Sequence, residues 1–268
     1  MKKIIILSLM FFIFVSCQNV IKETKTQKKA DTTNEHLLMS TVWFQNSAEM
    51  RAIYYQSFNL AKMIVDKSIS EVGKSQKKAV VLDIDETVLD NSPFQVKCVK
   101  TGQNYSTKTW KEWTSLSKAK ALPGAVEFTN YAKNNGVDVF YISNRLEEEL
   151  DVTMKNMKKL KFSCVDSAHF LLKTTESGKK QRRANIEGKY KIILLIGDNL
   201  TDYSEIYENR NEKLAIDIVD KNSGDFGTKF IILPNPMYGD WEKAIYGNTY
   251  KLSKEIKNKK LKDCLLGY

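Results

Sequence analysis

The chain has 268 residues, of which 42% are hydrophobic, and a formal net charge of +10 at pH 7. This length and apolar content suffice for one large domain with a substantial core, and they exclude a chain that is disordered throughout. The basic excess favours anionic partners such as phosphorylated small molecules or lipid head groups. The lysine-rich stretch from Lys251 to Lys262 has no interleaved aromatic residue, so we interpret it as a solvated helix face and expect no nucleic-acid partner.

The N-terminus has the features of a secretion signal. Met1-Lys2-Lys3 is followed by an apolar run from Ile4 to Val15 that is too short to span a bilayer comfortably. The run ends in Phe14-Val15-Ser16-Cys17, which resembles the lipobox of bacterial lipoproteins. This resemblance predicts that Cys17 carries a lipid anchor, which would hold the chain at a membrane surface without a transmembrane helix.

The segment after Cys17 predicts where the anchored chain resides and where its fold begins. Gln18 follows, without an Asp that would signal inner-membrane retention, so the resemblance implies the outer membrane of a Gram-negative bacterium. We expect residues 1–16 to be a signal peptide and the polar residues 17–35 to be a flexible tether. Residues 36–268 are then the folded domain.

Apolar segments that alternate with amphipathic helical segments predict the α/β class. Asn46-Ser47-Ala48-Glu49 has the pattern of a capping box, and apolar residues recur at helical spacing from Met50 to Val65. Strands are expected at residues 79–82, 137–142, 170–172, 192–196 and 229–233. This alternation predicts a doubly wound parallel sheet. A smaller, mainly helical cap is expected from about residues 36–70 and 92–122.

Acidic side chains follow two of the predicted strands directly. Asp83 and Asp85 come after the first strand, and Asp198 and Asp202 come after the fourth. Ligands of open α/β sheets bind beyond the carboxyl ends of the strands, so the four acids are expected at one sheet edge. Such a group of carboxylates repels itself unless a cation lies between them, and hard oxygen ligands indicate Mg²⁺.

Two further polar motifs complete the pattern, namely Ser143 after the second strand and the segment Ser177-x-Lys179-x-x-Arg182. Together with the two acidic motifs they resemble the four motifs of the haloacid dehalogenase (HAD) superfamily. The chain is most similar to its class C bacterial acid phosphatases, the outer-membrane lipoprotein 5'-nucleotidase type. The likeness covers nearly all of the mature chain. It implies a HAD-like Rossmannoid sheet with the cap described above.

The resemblance implies a role for each motif residue. Asp83 is the expected nucleophile, Asp85 the expected proton donor and acceptor, and Ser143 and Lys179 the expected ligands of the transferred phosphoryl group. One Mg²⁺ per chain is expected on Asp83, Asp85, Asp198 and Asp202. Lys180 could replace Lys179 by a shift of one residue, although the Ser-x-Lys-x-x-Arg spacing favours Lys179.

The relatives act on nucleoside monophosphates and hold the base between aromatic rings. The matching positions are Trp110 and Tyr238, with packing within the cap as the alternative interpretation. Further substrate contacts are expected from Phe94, Asn144 and Arg145. We therefore predict a phosphomonoesterase acting on nucleoside 5'-monophosphates.

Two other functions stay open from the sequence. The chain could be a catalytically silent surface lipoprotein or adhesin that binds an anionic ligand, or a phosphotransferase that uses an acceptor alcohol. The resemblance also allows a homodimer. Apart from Cys17, the cysteines are Cys98, Cys164 and Cys264, whose odd number and spacing indicate neither a disulfide framework nor structural zinc. One disulfide among the three stays open in an oxidising compartment, and the sequence does not indicate which pair would form it.

Overall fold

Five parallel strands form the central sheet of this computed structural model, which describes residues 34–71, 77–210 and 214–268. In chain order, the strands are β1 (Lys78–Leu82), β2 (Leu89–Asp90), β3 (Lys120–Ala121), β4 (Val137–Leu146), β5 (Phe170–Lys173), β6 (Lys191–Gly197) and β7 (Phe230–Ile232). The central sheet has the order β5-β4-β1-β6-β7, and all its pairings are parallel. The predicted doubly wound sheet is confirmed. The predicted signal peptide, the lipidation of Cys17 and the tether up to residue 33 lie outside the described residues.

The helices that accompany these strands are α1 (Glu35–Asn46), α2 (Ala48–Glu71), α3 (Ser92–Thr101), α4 (Thr107–Ser115), α5 (Ala125–Asn134), α6 (Leu150–Lys159), α7 (Lys180–Glu187), α8 (Ile216–Lys221), α9 (Asp240–Ile245) and α10 (Lys254–Asp263). Within the described ranges, no helix combines the length and the apolar content needed to cross a membrane.

Helix α2 forms where the apolar spacing predicts it. The backbone N–H of Met50 donates to Ser47 Oγ at 3.1 Å, which caps the first turn. The apolar stripe of the helix, including Tyr54 and Phe58, is fully buried. The helix lies against α5, β6 and β7, whereas α1 lies against α3. The two helices of the segment expected to form part of the cap therefore pack in different places. Helix α2 covers a face of the sheet, whereas α1 packs against α3 in the insertion between β2 and β3.

Strand β4 extends further than the sequence predicts. The expected strand stops at Ile142, but β4 continues to Leu146, which pairs with Lys173 of β5 after an irregularity in register. The strand therefore contains Ser143, Asn144 and Arg145 instead of ending before them. Alternation along the strand buries Ser143 and Arg145 and leaves Asn144 exposed.

The antiparallel ribbon of β2 and β3 is absent from the sequence prediction, because two-residue strands have no detectable periodicity. Leu89 pairs with Ala121, and Asp90 pairs with Lys120. This ribbon joins the two ends of the insertion that carries α3 and α4. The insertion is thereby fixed beside the carboxyl end of β1, where the predicted catalytic residues lie.

Candidate active site

Three carboxylates meet where β1 and β6 end. Asp83 follows β1, Asp198 follows β6, and Asp202 ends a short 3-10 turn after β6. One ligand oxygen from each lies within 4.8 Å of the other two. The backbone N–H of Asp83 donates to the carbonyl of Ile196 at 2.9 Å, which holds the two strand ends side by side. Sheet pairing thus brings together acids that are more than a hundred residues apart in sequence.

Lys179 contributes a buried positive charge to this group of acids. Its ammonium pairs with Asp83 and lies 2.7 Å from Asp202 Oδ1. It also donates to the carbonyl of Ile142 at 2.7 Å. The neighbouring Lys180 is exposed and pairs with Glu205, so the structure distinguishes the two lysines in favour of Lys179.

The carboxylates of Asp198 and Asp202 are held in place by hydrogen bonds from neighbouring groups. Asn235 donates to Asp198 Oδ2 at 2.8 Å, and the backbone N–H of Asn199 donates to Asp202 Oδ2 at 3.0 Å. Gly197 leaves the space in which Asp202 lies, since a Cβ at this position would be 2.2 Å from Asp202 Oδ2. The glycine before Asp198 is therefore required by a close approach of side chain to backbone.

The carboxylate of Asp85 points toward Arg145, whose guanidinium is buried. Arg145 Nη2 donates to Asp85 Oδ1 at 2.7 Å, and Arg145 Nε contacts both carboxylate oxygens. Asn91 Nδ2 donates to the same Oδ1 at 2.7 Å. This fork fixes the orientation of Asp85 at the edge of the cavity. The structure therefore places Arg145 as the partner of Asp85. Arg145 also lines the cavity, and its contact with substrate stays a prediction.

Ser143 and Asn144 lie at the same edge and are held by Arg182. Ser143 Oγ lies 3.3 Å from Asp85 Oδ2 and also accepts the backbone N–H of Arg145. Arg182 donates to the carbonyl of Ser143 at 2.6 Å and to Asn144 Oδ1 at 2.7 Å. The arginine of the Ser-x-Lys-x-x-Arg segment thus ties α7 to β4.

A cavity of about 660 Å³ opens above these groups. Trp110, Tyr105 and Tyr238 are among the residues that line it. Trp110 lies over the guanidinium of Arg145, with 5.7 Å between the Arg145 Cζ and the ring centroid. Phe94 is 1% exposed and packs edge-on against Trp110, with ring centroids 5.2 Å apart. Phe94 is not among the residues that line the cavity, and its contact with substrate stays a prediction.

The comparisons with known proteins agree with this geometry. The family described as HAD superfamily, subfamily IIIB (acid phosphatase), matches residues 9–241. The class C acid phosphatase from Bacillus anthracis is 40% identical, with a TM-score of 0.85 over 88% of this chain and 99% of that chain. Its structure with tungstate bound is 41% identical, with a TM-score of 0.84 over 88% and 98% of the two chains.

The chain belongs to the HAD subfamily IIIB acid phosphatases. It is a phosphomonoesterase hydrolase of the HAD fold. A plant relative, the stem 31 kDa glycoprotein of Glycine max, is 26% identical over 164 residues, which are 59% of this chain. The chain spans 58% of the length of that protein.

HAD acid phosphatases depend on a metal, and the acids of this chain fit a divalent cation. Burial raises the pKa of Asp83 to about 7, with Lys179 opposing the rise and Asp202 and Asp85 adding to it. Burial and the nearby charges of Asp202 and Asp83 also raise the pKa of Asp198 well above its usual value. A cation would remove this mutual repulsion. Carboxylate oxygens from Asp83, Asp198 and Asp202 form the hard donor set that such an ion requires.

Several functional residues escape prediction from sequence. Asn91 contacts Asp85, Asn235 contacts Asp198, and Tyr105 lines the cavity. The only sequence signals were the position of Asn91 just after the first acidic motif and that of Asn235 in a Pro-Asn-Pro turn after the last strand. Tyr105 lies in a loop between α3 and α4 and carries no positional signal.

Proposed function

We propose that this acid phosphatase uses one Mg²⁺ per chain to hydrolyse nucleoside 5'-monophosphates through an aspartyl-phosphate intermediate. The observation that carries the proposal is the group formed by Asp83, Asp198 and Asp202 around the Lys179 ammonium, at the floor of an aromatic-lined cavity. Asp83, Asp198 and Asp202 would hold the ion with their carboxylates, whereas the carboxylate of Asp85, the fourth ligand expected from sequence, is engaged by Arg145 and Asn91. When bound, Mg²⁺ supplies positive charge that screens the acids from the phosphate dianion.

In the first half-reaction, Asp83 attacks phosphorus in line with the leaving group. A bond forms between an Asp83 oxygen and phosphorus while the ester P–O bond breaks. Asp85, held by Arg145 and Asn91, gives its proton to the departing alkoxide. Lys179 and the Ser143 hydroxyl stabilise the charge on the phosphoryl oxygens. The product is a free nucleoside and a phosphorylated Asp83.

The second half-reaction restores the enzyme. A water molecule attacks the phosphorus of the aspartyl-phosphate and gives its proton to the carboxylate of Asp85. The bond to Asp83 breaks, and orthophosphate leaves. Asp85 thus acts first as proton donor and then as proton acceptor within one turnover.

The cavity supports the choice of a nucleotide as substrate. A volume of about 660 Å³ lies in the range of small-molecule sites, and its walls include Trp110 and Tyr238. The Tyr238 hydroxyl donates to the buried Glu86, which orients the ring. Stacking on such rings is worth about 1–3 kcal/mol per base and tolerates any base. Broad activity on nucleoside monophosphates is therefore expected.

The test compares Asp83→Asn with Asp151→Asn, an exposed acid of α6 outside the cavity. We expect Mg²⁺-dependent release of phosphate from nucleoside monophosphates in the wild type and in Asp151→Asn. Asp83→Asn should lose at least about 10⁴-fold in kcat, and acid quenching should trap a phosphoryl-enzyme only when Asp83 is present. Turnover by Asp83→Asn at the wild-type rate would contradict the assignment of Asp83 as the nucleophile.

The same assay separates the alternative functions. Nucleosides added as acceptors would yield phosphorylated acceptor if the enzyme were a phosphotransferase. Absence of turnover with nucleotides and with a generic aryl phosphate, in several divalent metals, would favour a silent binding lipoprotein.

We also propose that the chain is a lipoprotein of the outer membrane of a Gram-negative bacterium, anchored through Cys17. The support is the Phe14-Val15-Ser16-Cys17 sequence at the end of the apolar run. Labelled palmitate should enter the wild type and be absent from Cys17→Ser, which should appear in the soluble fraction. Equal labelling of both proteins would contradict the anchor. Ultracentrifugation of the released domain would test the expected homodimer.

A further inference from the structure

A second group of potential metal ligands lies at the opposite edge of the sheet from the catalytic acids. Asp138 is at the amino end of β4, His169 directly precedes β5, and Cys164 is in the loop between α6 and β5. One ligand atom from each lies within 4.8 Å of the other two. Thiol, imidazole and carboxylate are the three side-chain types that bind zinc. Here the carboxylate comes from β4, and the thiol and imidazole come from the connection between α6 and β5.

The imidazole of His169 is oriented by a carboxylate outside the group. His169 Nδ1 lies 2.8 Å from Asp166 Oδ1 and 2.9 Å from Oδ2. The ring also packs on Phe140, with centroids 4.9 Å apart. A histidine that donates one ring N–H to a carboxylate presents its other nitrogen as a ligand, which is the usual arrangement around protein-bound metals. The pairing with Asp166 thus leaves Nε2 available to an ion.

The three side chains of the group are partly exposed, so an ion can reach them from solvent. Asp138, Cys164 and His169 are each of intermediate burial. Asp138 already accepts a hydrogen bond from the Lys133 ammonium, so its carboxylate has a cation as a neighbour in this structure.

We propose that Asp138, Cys164 and His169 bind one Zn²⁺ ion, separate from the catalytic metal. Binding forms a bond from zinc to the Cys164 sulfur and releases the thiol proton to solvent. Water completes a four-coordinate site. The ion ties the loop after α6 to the amino end of β4. The parallel pairing of β4 with β5 brings Asp138 close to Cys164 and His169. The sequence therefore contains no CxxC or HxxxH spacing that would predict the site.

Lys133 and Tyr190 both hydrogen-bond Asp138 and would compete with the ion. The Lys133 ammonium lies 2.5 Å from Asp138 Oδ1, and the lysine side chain is 49% exposed. The lysine can therefore turn into solvent when a cation takes its place, at the cost of the ion pair. This competition predicts that removal of the lysine charge tightens zinc binding, which a purely structural role for the three ligands would not produce.

The test uses Co²⁺ as a spectroscopic replacement for Zn²⁺ in the full chain, with the catalytic site saturated with Mg²⁺ and a phosphine reductant present. A thiolate bound to Co²⁺ gives a near-ultraviolet charge-transfer band that an all-oxygen site cannot produce. We expect one equivalent of Co²⁺ to produce the band and Zn²⁺ to abolish it. Absence of the band in the wild type would overturn the proposal.

Matched variants assign the ligands. Cys164→Ser should lose the band, whereas Cys264→Ser, which removes an exposed cysteine far along the chain, should keep it. Asp166→Asn should weaken Co²⁺ binding about tenfold, and Lys133→Gln should strengthen it. If Cys164→Ser fails to fold by circular dichroism, His169→Gln replaces it, with at least tenfold weaker binding expected. A band that persists in Cys164→Ser, or an affinity that is unchanged in His169→Gln, would contradict the site.

Discussion

Two regions of the cavity are built differently. We call one the floor, which consists of Asp83, Asp198, Asp202 and Lys179. The other is the aromatic wall, which consists of Tyr105, Trp110 and Tyr238. The floor lies at strand ends, and its groups are held by ion pairs and hydrogen bonds to neighbouring groups. The wall comes from loops and the insertion, and Tyr105 is 64% exposed. Rigid strand ends suit groups that must keep their positions during chemistry, whereas a loop-borne wall suits recognition of varied substrates.

The largest effect is expected from removing the positive charge of Lys179 from the floor. Lys179→Met keeps the length of the side chain but leaves Asp83 and Asp202 without their buried cation. We expect kcat to fall about 10²–10³-fold, since the charge on the transferred group is no longer stabilised. Without metal, the free energy of unfolding should fall by about 3–5 kcal/mol, because buried carboxylates lose their partner. Steady-state kinetics and urea unfolding in chelator measure both effects.

Lys180→Met is the matched control, since Lys180 is exposed and pairs only with Glu205 among the contacts described for it. Its kinetics and stability should stay within error of the wild type. An equal loss in the two variants would show that net charge, and not the position of Lys179, matters.

The positions of the floor residues can be predicted from sequence better than those of the wall residues, for a physical reason. Asp83 and Asp198 follow continuous apolar strands, and parallel pairing of β1 with β6 fixes their proximity once the fold class is known. The wall depends on how an insertion packs. The sequence therefore identifies Phe94 and Trp110 as aromatic residues of one segment without revealing that Phe94 packs against Trp110. The partnership of Arg145 with Asp85 depends on the unpredicted extension of β4.

A second prediction concerns the backbone under the floor. In Gly197→Ala the new methyl would lie 2.2 Å from Asp202 Oδ2 and 2.7 Å from its Cγ, so Asp202 must move. We expect the Mg²⁺ concentration for half-maximal activity to rise about 10–100-fold, as for the loss of a group that supports a metal ligand. Activity titrated against Mg²⁺ measures this shift. Gly188→Ala, where a Cβ meets only ordinary contacts at 3.8 Å, should leave the titration unchanged.

A third prediction tests whether Arg145, which contacts both Asp85 and Trp110, acts by positioning Asp85. Lysine cannot reproduce the fork that Arg145 makes to Asp85 or its position under Trp110. Arg145→Lys should therefore lower kcat about tenfold, equivalent to one net hydrogen bond to a charged group, with little change in KM for nucleoside monophosphates. A large rise in KM with kcat preserved would instead support the substrate-binding role predicted from sequence. Arg51→Lys, at an exposed position on α2, serves as the control.

The smallest effects are expected in the wall, where Tyr105 and Phe94 separate recognition from packing. Tyr105 lies at the cavity with its ring 6.1 Å from that of Trp110, so Tyr105→Ala should raise KM for nucleoside monophosphates about two- to fivefold and leave stability nearly unchanged. Phe94 is buried against Trp110, so Phe94→Leu should lower the free energy of unfolding by about 1 kcal/mol and leave KM unchanged. Kinetics with a nucleotide and with a small aryl phosphate, beside urea unfolding, measure both variants. If Tyr105 contacts the base, the KM of the smaller aryl phosphate should be unaffected in Tyr105→Ala; an equal rise for both substrates would mean that the tyrosine supports the floor instead of contacting the base.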